Sequence, residues 1–237
     1  MADLTCDPSS PSYPKWTVYD ALMWKIAPEK LGGGRPRLDA YKDGWIAYNK
    51  ARILDAAKSH AIPADLLGCV AYNEVGGDPP FVKRDIVLPL RQFDWSGPDW
   101  VDRHLTIFPR PSATSEGAIK IQLRAAARQL GLDPDRLSYS QQNTMTRCLE
   151  VDVFNLDVVA SLLRSLLEKD FPDADPNNLT DDQFAIVGSR YNRGDARPLA
   201  DFIASLRSPP GAANRKYSEY GRAMLTHRAH VRPLLGL

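Results

Sequence analysis

A glutamate lies near the end of an apolar helical pattern in the stretch VAYNEVGG, Val70 to Gly77. Glu74 comes seven residues after Leu67, nearly two helical turns, so the two side chains share a face. Apolar neighbours disfavour the carboxylate anion, and so does the partial negative charge at a helix C-terminus. Both effects predict a raised pKa for Glu74, as a general acid near neutral pH requires. Read alone, the stretch also fits a frayed helix end whose glutamate pairs with Lys83 or Arg84.

Two later stretches have small or polar residues at predicted helix ends. SEGAIKIQLRAAARQLG, Ser115 to Gly131, begins with a hydroxyl and has Gly117 two residues later, so backbone can approach a ligand closely there. RYNRG, Arg190 to Gly194, ends a predicted helix with Tyr191, Asn192 and a glycine. The three stretches therefore supply an acid, a hydroxyl and an amide.

In this order the stretches resemble the motifs of lytic transglycosylases and goose-type lysozymes. Glu74 resembles the helical glutamate of that family, Ser115 to Gln122 its S-x-G…Q motif, and Tyr191 to Gly194 its YN-x-G motif. YSEYGRA, Tyr217 to Ala223, is similar to the tyrosine-containing segment that often follows. The resemblance covers roughly Tyr41 to Arg222. It implies a mainly α, lysozyme-like helical domain with a long loop or small β-hairpin excursion.

The chain departs from the family pattern at three points. Val75 follows the glutamate where the family has serine, and Lys120 stands where the family has glutamine. The amide nearest to Lys120 is that of Gln122, two residues later. The spacing from Glu74 to Ser115 is also much longer than in common members of the family. An inactive glycan-binding or interaction module with a lysozyme-like cleft therefore stays open as an alternative.

The resemblance implies cleavage of the β-1,4 bond between N-acetylmuramic acid and N-acetylglucosamine in peptidoglycan. In the transglycosylase reaction one carboxyl suffices. Glu74 protonates the glycosidic oxygen and then, as carboxylate, accepts the proton of the muramoyl C6 hydroxyl. No cofactor or metal is implied. The residues that the resemblance assigns to the substrate are Ser115, Gly117, Gln122, Tyr191, Asn192 and Tyr217.

A hydrolytic muramidase normally uses a second carboxylate. The Pro-rich stretch after Glu74, up to Pro111, predicts a long surface excursion with a β-like run, DIVLPL. The alternative interpretation of each acid in this excursion is a solvated loop residue. The candidate second carboxylates are Asp78, Asp85 and Asp94.

Aromatic and basic residues of the same excursion are candidate substrate contacts. Trp95 and Trp100 have faces that stack on sugar rings, or else pack the excursion onto the domain. Lys83, Arg84 and Arg91 suit the carboxylates of lactyl groups and stem peptides, or form ordinary solvated surface.

Helical periodicity dominates the chain. Residues 1–40 predict an extended N-terminal arm with one short helix, Tyr19 to Ile26, and residues 41–237 predict the catalytic domain. The longest apolar stripe runs from Leu149 through Val153 to Leu167. The other predicted helices are Tyr41 to His60, Pro63 to Glu74 with Gly76 and Gly77 as the stop, a helix capped by Ser115, a helix from the capping box at Thr180 to Gly194, and Tyr217 to about His230.

Composition limits the remaining possibilities. The 237 residues have a net charge of +1, which gives no basis for a nucleic-acid partner. An odd, sparse set of three cysteines predicts buried, reduced thiols, with one bridged pair as the alternative. Cys69 within an apolar helix predicts a small core residue. His227 and His230 share a helix face but have no acidic or cysteine partner nearby in the sequence, so no metal site is predicted.

We expect a protein made in the cytoplasm, because the N-terminus has no signal peptide pattern and no apolar run spans a bilayer. A wall-degrading enzyme of this kind acts in the periplasm or cell wall. The two expected settings are an antibacterial toxin delivered by a secretion system, with an immunity protein occupying its cleft, and a phage endolysin.

Overall fold

The computed structural model describes residues 5–77, 82–94, 106 and 109–237, without the side chains of 82–84. The described part is mainly helical with one small two-stranded sheet, which confirms the predicted mainly α class. No described helix is long and apolar enough to cross a membrane. The α-helices are α1 (Val18–Ile26), α2 (Gly34–Tyr48), α3 (Lys50–Ser59), α4 (Ala64–Glu74), α5 (Leu88–Asp94), α6 (Leu123–Gln129), α7 (Tyr139–Leu149), α8 (Asp152–Asp170), α9 (Asp181–Arg193), α10 (Leu199–Arg207) and α11 (Glu219–Leu235).

The chain divides into two compact units, each built from two segments. Unit 1 comprises Met1–Trp45 and Val75–Val158, and unit 2 comprises Ile46–Glu74 and Val159–Leu237. The predicted arm of residues 1–40 falls within unit 1, and its end lies inside α2.

The first part of unit 1 is bound to the rest of that unit by backbone and side-chain contacts. The backbone N–H of Tyr13 donates to Asp152 at 2.8 Å, and the indole N–H of Trp16 donates to the Gly77 carbonyl at 3.1 Å. Trp16 is buried. The short helix predicted there is confirmed as α1, whose N-terminus has a capping box formed by Thr17 and Asp20.

A disulfide joins Cys6 to Cys148, with their Cα atoms 5.5 Å apart. The prediction of three reduced thiols is therefore wrong for this pair. A sequence separation of 142 residues leaves no local signal, because the pairing exists only after the arm has folded back against α7. Cys69 is buried and free, as predicted. Burial, and to a smaller extent the nearby Asp65 charge, raise the pKa of Cys69 to about 12, so its thiol stays protonated.

We expect the Cys6→Ser/Cys148→Ser double variant to lose about 2–5 kcal/mol of unfolding free energy, as is typical for a native disulfide. Thermal unfolding with and without a reductant measures this. The reductant should lower the melting temperature of the wild type and leave that of the double variant unchanged. A wild-type melting temperature that ignores the reductant would contradict the prediction.

The stretch after residue 81 is helical where a β-like run was predicted. A π-helical segment spans Val82–Val87 and continues into α5. Pro89 is the second residue of α5 and has no N–H to donate to the preceding π-helical turn. The β-branched residues suggested a strand, but Leu88 is buried while Ile86 and Leu90 are about half exposed, which is not strand alternation across two faces.

A small hairpin replaces the helix that was predicted to begin at Ser115. Ser115–Glu116 pairs antiparallel with Ile121–Gln122, and α6 starts only at Leu123. Gly117 has φ +84°, and a Cβ there would lie 2.6 Å from both the Asn155 amide and the Leu149 carbonyl. The turn therefore requires glycine, and the predicted N-cap role of Ser115 is wrong.

Several predicted helices differ from the structure in their bounds, and the last one, predicted over Tyr217 to about His230, is α11 at Glu219–Leu235. The single helix predicted over Tyr41 to His60 is two helices, α2 and α3, which meet at Asn49. Leu149 belongs to α7, and α8 begins at Asp152. The apolar stripe is otherwise buried, except that Val153 is 44% exposed.

The core of unit 2 is built around α4, α9 and α11. The capping box of α9 is confirmed, with the Thr180 hydroxyl accepting from the Gln183 N–H. The predicted stop at Gly194 is also confirmed. In the first turn of α4, buried Asp65 pairs with Arg228 and Arg232 of α11, both at 2.8 Å.

Glycines let these three helices approach closely. A Cβ at Gly221 of α11 would lie 1.9 Å from the Ala185 carbonyl oxygen of α9. A Cβ at Gly188 of α9 would lie 2.2 Å from the Met224 sulfur of α11. Gly68 of α4 faces Leu235 and Val231 in the same way. These contacts fix the spacing of the three helices.

We expect Gly221→Ala to lower the unfolding free energy by about 2 kcal/mol or more, because the new methyl group meets a backbone carbonyl that cannot move independently. Gly188→Ala is the matched control. It adds the same methyl group, but there the obstacle is the end of a flexible methionine, so we expect a loss below about 1 kcal/mol. Urea unfolding of both variants measures the difference. Equal losses would show that the backbone contact does not limit the helix spacing.

Candidate functional site

Glu74 is the last residue of α4 and is half-buried. The turns of α4 before it are apolar, with Leu67, Val70 and Ala71 fully buried. The predicted glycine stop is confirmed, because Gly76 and Gly77 have φ +80° and +89°. The helix therefore ends where its glutamate reaches the edge of the unit 2 core.

Two tyrosines from other helices lie near this carboxyl. Tyr191 is near the end of α9 and Tyr220 is in the first turn of α11, and their ring centroids are 6.3 Å apart. Burial raises the pKa of Tyr191 well above its usual value, and the Glu74 charge raises it further. Burial and the Glu74 charge raise the pKa of Tyr220 in the same way. Both hydroxyls are therefore neutral at physiological pH and keep a hydrogen that they can donate.

The Tyr220 hydroxyl is the more unusual of the two. Its oxygen is buried although part of the residue is exposed, and among the described residues no group forms a hydrogen bond of good geometry with it. The Glu74 carboxyl and the Asn73 amide are nevertheless close enough to shift the pKa of Tyr220 in opposite directions. A buried donor with no well-formed bond has capacity left for an oxygen atom of a ligand or water.

A histidine bonds the residue that precedes Glu74. His227 Nδ1 and Asn73 Oδ1 are 2.8 Å apart. The imidazole of His227 also lies edge-on to the buried Tyr72, with ring centroids 5.1 Å apart, and His230 lies edge-on to the same ring at 5.4 Å. Among the described residues no group of three His, Cys, Asp or Glu side chains could hold a metal.

A buried ion pair fixes the chain beside Tyr191. The Arg190 guanidinium donates to both Asp170 oxygens, at 2.5 and 2.8 Å, and both side chains are almost fully buried. It also donates to the carbonyls of Asp195 and Arg197, which follow the end of α9. The position of Tyr191 is therefore tied to the end of α8 and to the loop after α9.

Tyr217 and Tyr220, the two tyrosines of the predicted tyrosine segment, have different surroundings. The Tyr217 ring lies under the Arg197 guanidinium at 3.8 Å, in a short 3₁₀ helix before α11. Tyr220, three residues later in YSEYGRA, is the tyrosine beside Glu74. The stretch has two tyrosines three residues apart. The start of α11 at Glu219 places Tyr220, and not Tyr217, in the helix. Asn192, next to Tyr191, is exposed.

The other predicted substrate residues belong to the hairpin of unit 1. Ser115, Gly117 and Lys120 line a pocket within that unit. Gln122 lies at the end of the hairpin and accepts from Arg124 at 2.7 Å. Aromatic and acidic side chains dominate the rest of the pocket lining, which includes Tyr13, Lys15, Trp16, Tyr41, Trp45, Glu116, Glu150 and Asp152.

The predicted acids and aromatics of the excursion are only partly described. Asp85 is exposed in the π-helical segment and Asp94 is half-buried at the end of α5, both in unit 1. Arg91 is half-buried and donates to the Thr114 hydroxyl at 3.0 Å. Asp78, Trp95, Trp100 and the side chains of Lys83 and Arg84 lie outside the described residues.

Comparison with protein-family models, with curated proteins and with solved structures found no match to this chain.

We expect the folded protein to lose stability in alkali partly through Tyr220. The unfolded chain releases this proton near pH 10 whereas the folded chain retains it, so the contribution is complete below about pH 10 and falls as pH rises further. Each such group adds a slope of about 1.4 kcal/mol per pH unit. Urea unfolding from about pH 9 to about pH 11 should therefore show a shallower decline for Tyr220→Phe than for wild type. Parallel declines would contradict the raised pKa.

Proposed function

We propose that this chain is a peptidoglycan-degrading glycosidase in which Glu74 is the general acid and base. The observation that supports it best is that the Glu74 charge acts on two neutral tyrosines, Tyr191 near the end of α9 and Tyr220 in the first turn of α11, whose ring centroids are 6.3 Å apart. The motif resemblance to lytic transglycosylases and goose-type lysozymes supplies the substrate class.

In the proposed reaction the protonated Glu74 gives its proton to the glycosidic oxygen as the bond from that oxygen to C1 of N-acetylmuramic acid breaks. The Glu74 carboxylate then takes the proton of the C6 hydroxyl of the same sugar. The C6 oxygen bonds to C1 as it loses this proton. The product has a 1,6-anhydro end, and Glu74 is protonated again. No water is consumed and one carboxyl serves both steps.

The two tyrosines have complementary roles in this scheme. A neutral hydroxyl beside a carboxylate stabilises the anion by donating to it and orients its oxygens without taking its proton. Tyr191 and Tyr220 are suited to this because their raised pKa values keep them neutral while Glu74 changes its protonation state. Asn192 and Tyr217 remain proposed contacts to the sugar from the motif resemblance.

We propose the one-carboxyl reaction over hydrolysis because it needs no acid besides Glu74. Glu74 is the carboxyl whose charge raises the pKa of both, and no other described acid contributes to either shift. A hydrolase would draw its second carboxylate from Asp78, Asp85 or Asp94. The unit 1 residues Ser115, Gly117 and Gln122 are proposed to contact glycan, and the aromatic lining of the unit 1 pocket suits sugar rings.

The proposed place of action is the periplasm or wall of a target cell. Delivery by a secretion system, with an immunity protein covering the cleft, is the proposed setting, and release as a phage endolysin is the second.

Digestion of purified peptidoglycan by wild type and Glu74→Gln, followed by mass spectrometry of the released muropeptides, tests the proposal. We expect anhydro-ended products from wild type and a loss of at least about a thousandfold in the variant, because its amide cannot donate or accept this proton. Glu219→Gln makes the same chemical change at an exposed position of α11 and should retain activity.

Two other outcomes would redirect the assignment. Reducing-end products that depend on Glu74 would identify a hydrolase and make the three aspartates the next targets. A wild type that sediments with peptidoglycan but releases nothing would overturn the enzymatic proposal in favour of a glycan-binding module.

A further inference from the structure

The Cys6–Cys148 disulfide attaches the start of the chain to a stretch that also lines the unit 1 pocket. Glu150 and Asp152, both in the pocket lining, follow Cys148 by two and four residues. Lys15 pairs with Glu150 at 2.8 Å. The disulfide and one side of the pocket therefore depend on the same short part of the chain.

The N-terminal segment, residues 5–17, forms a wall of this pocket. Its lining residues are Tyr13, Lys15 and Trp16. The Tyr13 N–H donates to the Asp152 carboxylate at 2.8 Å, and the Asp152 N–H donates to the Ser12 hydroxyl at 3.2 Å. The Tyr13 hydroxyl lies against α2, where a Cβ at Gly44 would be 2.2 Å from its oxygen. The pocket is complete only while this segment stays in place.

Between the disulfide and Ser12, the N-terminal segment bonds to itself. Ser9 and Ser10 both donate to the Asp7 carboxylate. Among the described residues, no hydrogen bond joins residues 7–11 to the rest of unit 1, and such bonds begin at Ser12. A chain end is ordered only where it is tied down, and a single hydrogen bond contributes little net free energy. Without the disulfide, Ser12 and Tyr13 would be the first attachments of a free end.

The two cysteines differ in exposure. Cys6 is half-buried, whereas Cys148 is buried. Exchange requires a thiolate to reach one of the two sulfurs, so a reductant attacks at Cys6 and forms a mixed disulfide there. Cys148 leaves as a thiolate and takes up a proton. The second thiol of a dithiol then attacks the mixed disulfide, Cys6 leaves and is protonated, and the reductant departs as a disulfide.

We propose that the Cys6–Cys148 bond is a redox switch that controls the unit 1 pocket. The intact bond holds the N-terminal segment in place as the pocket wall. Reduction by a dithiol frees the segment through Tyr13 and opens that wall. Disulfides persist in oxidising compartments and are rare in the cytoplasm, so the pocket is complete only in an oxidising compartment. The effect on glycan binding rests on the proposed function, whereas release of the segment does not.

Nitrogen-15 NMR relaxation of the full chain tests the release without any activity. In oxidised protein we expect the Tyr13 amide to have an order parameter of about 0.85, because both sides of the segment are attached. Dithiothreitol should lower that value below about 0.6. The Cys6→Ser/Cys148→Ser variant is the matched control, and its Tyr13 amide should be mobile with and without the reductant.

The Gly221 amide, which donates to the Ser189 hydroxyl in unit 2, is the internal reference. Its order parameter should stay at about 0.85 after reduction. A Tyr13 amide that remains ordered in reduced wild type would overturn the proposal, because the other contacts would then hold the segment alone. Loss of order at Gly221 as well would also overturn it, because reduction would then unfold the protein as a whole.

Calorimetric titration with a tetramer of N-acetylglucosamine tests the consequence for the pocket. The Glu74→Gln background prevents cleavage of the probe. We expect reduction to weaken binding by at least about tenfold, and the additional Cys6→Ser/Cys148→Ser change to weaken it as much without any reductant. Equal affinity in the oxidised and reduced states would overturn control of the pocket by the disulfide.

The two measurements separate the redox switch from the proposed function. Oxidised protein that does not bind the tetramer would count against a glycan site in unit 1. The order parameter of the Tyr13 amide would still decide whether reduction releases the N-terminal segment.

Discussion

Helices can approach one another only as closely as the atoms between them allow, and in unit 2 that limit is set by Gly221. Its Cα lies against the Ala185 carbonyl, where even one methyl group has no room. The Gly221 N–H also donates to the Ser189 hydroxyl, which in turn donates to the same carbonyl. Tyr220 precedes Gly221, and Tyr191 lies two residues after Ser189. The close packing of α9 and α11 therefore sets the distance between the two tyrosine rings.

Charge is distributed unevenly along the same helices. Asp65 near the start of α4 is neutralised by two arginines of α11, and Asp170 is neutralised by Arg190. These pairs compensate the desolvation of buried charge and make removal of either partner costly. At the other end of α4, Glu74 faces neutral hydroxyls.

Local signals predicted the elements that position Glu74. Pro63, the glycines after Val75, and the capping box at Thr180 act within one or two turns, so their effect can be read from neighbouring residues. The same reading failed at Ser115, because the need for glycine at position 117 comes from Leu149 and Asn155, which are distant in sequence. The Cys6–Cys148 pairing was not predicted for the same reason, because the two cysteines are 142 residues apart. Tyr220 was missed because the boundary of α11 decides which tyrosine of YSEYGRA faces Glu74, and helix boundaries depend on packing.

The Cys6–Cys148 crosslink also determines how the polypeptide is connected. It closes a covalent ring that contains all of α4, while α9 and α11 lie in the tail outside the ring. Glu74 is thus a member of the ring, and both tyrosines beside it belong to the tail. A single peptide-bond cleavage anywhere between the two cysteines opens the ring without dividing the molecule. A chain nicked once between Glu74 and Cys148 keeps Glu74 and both tyrosines on one covalent framework until the sulfur–sulfur bond is reduced.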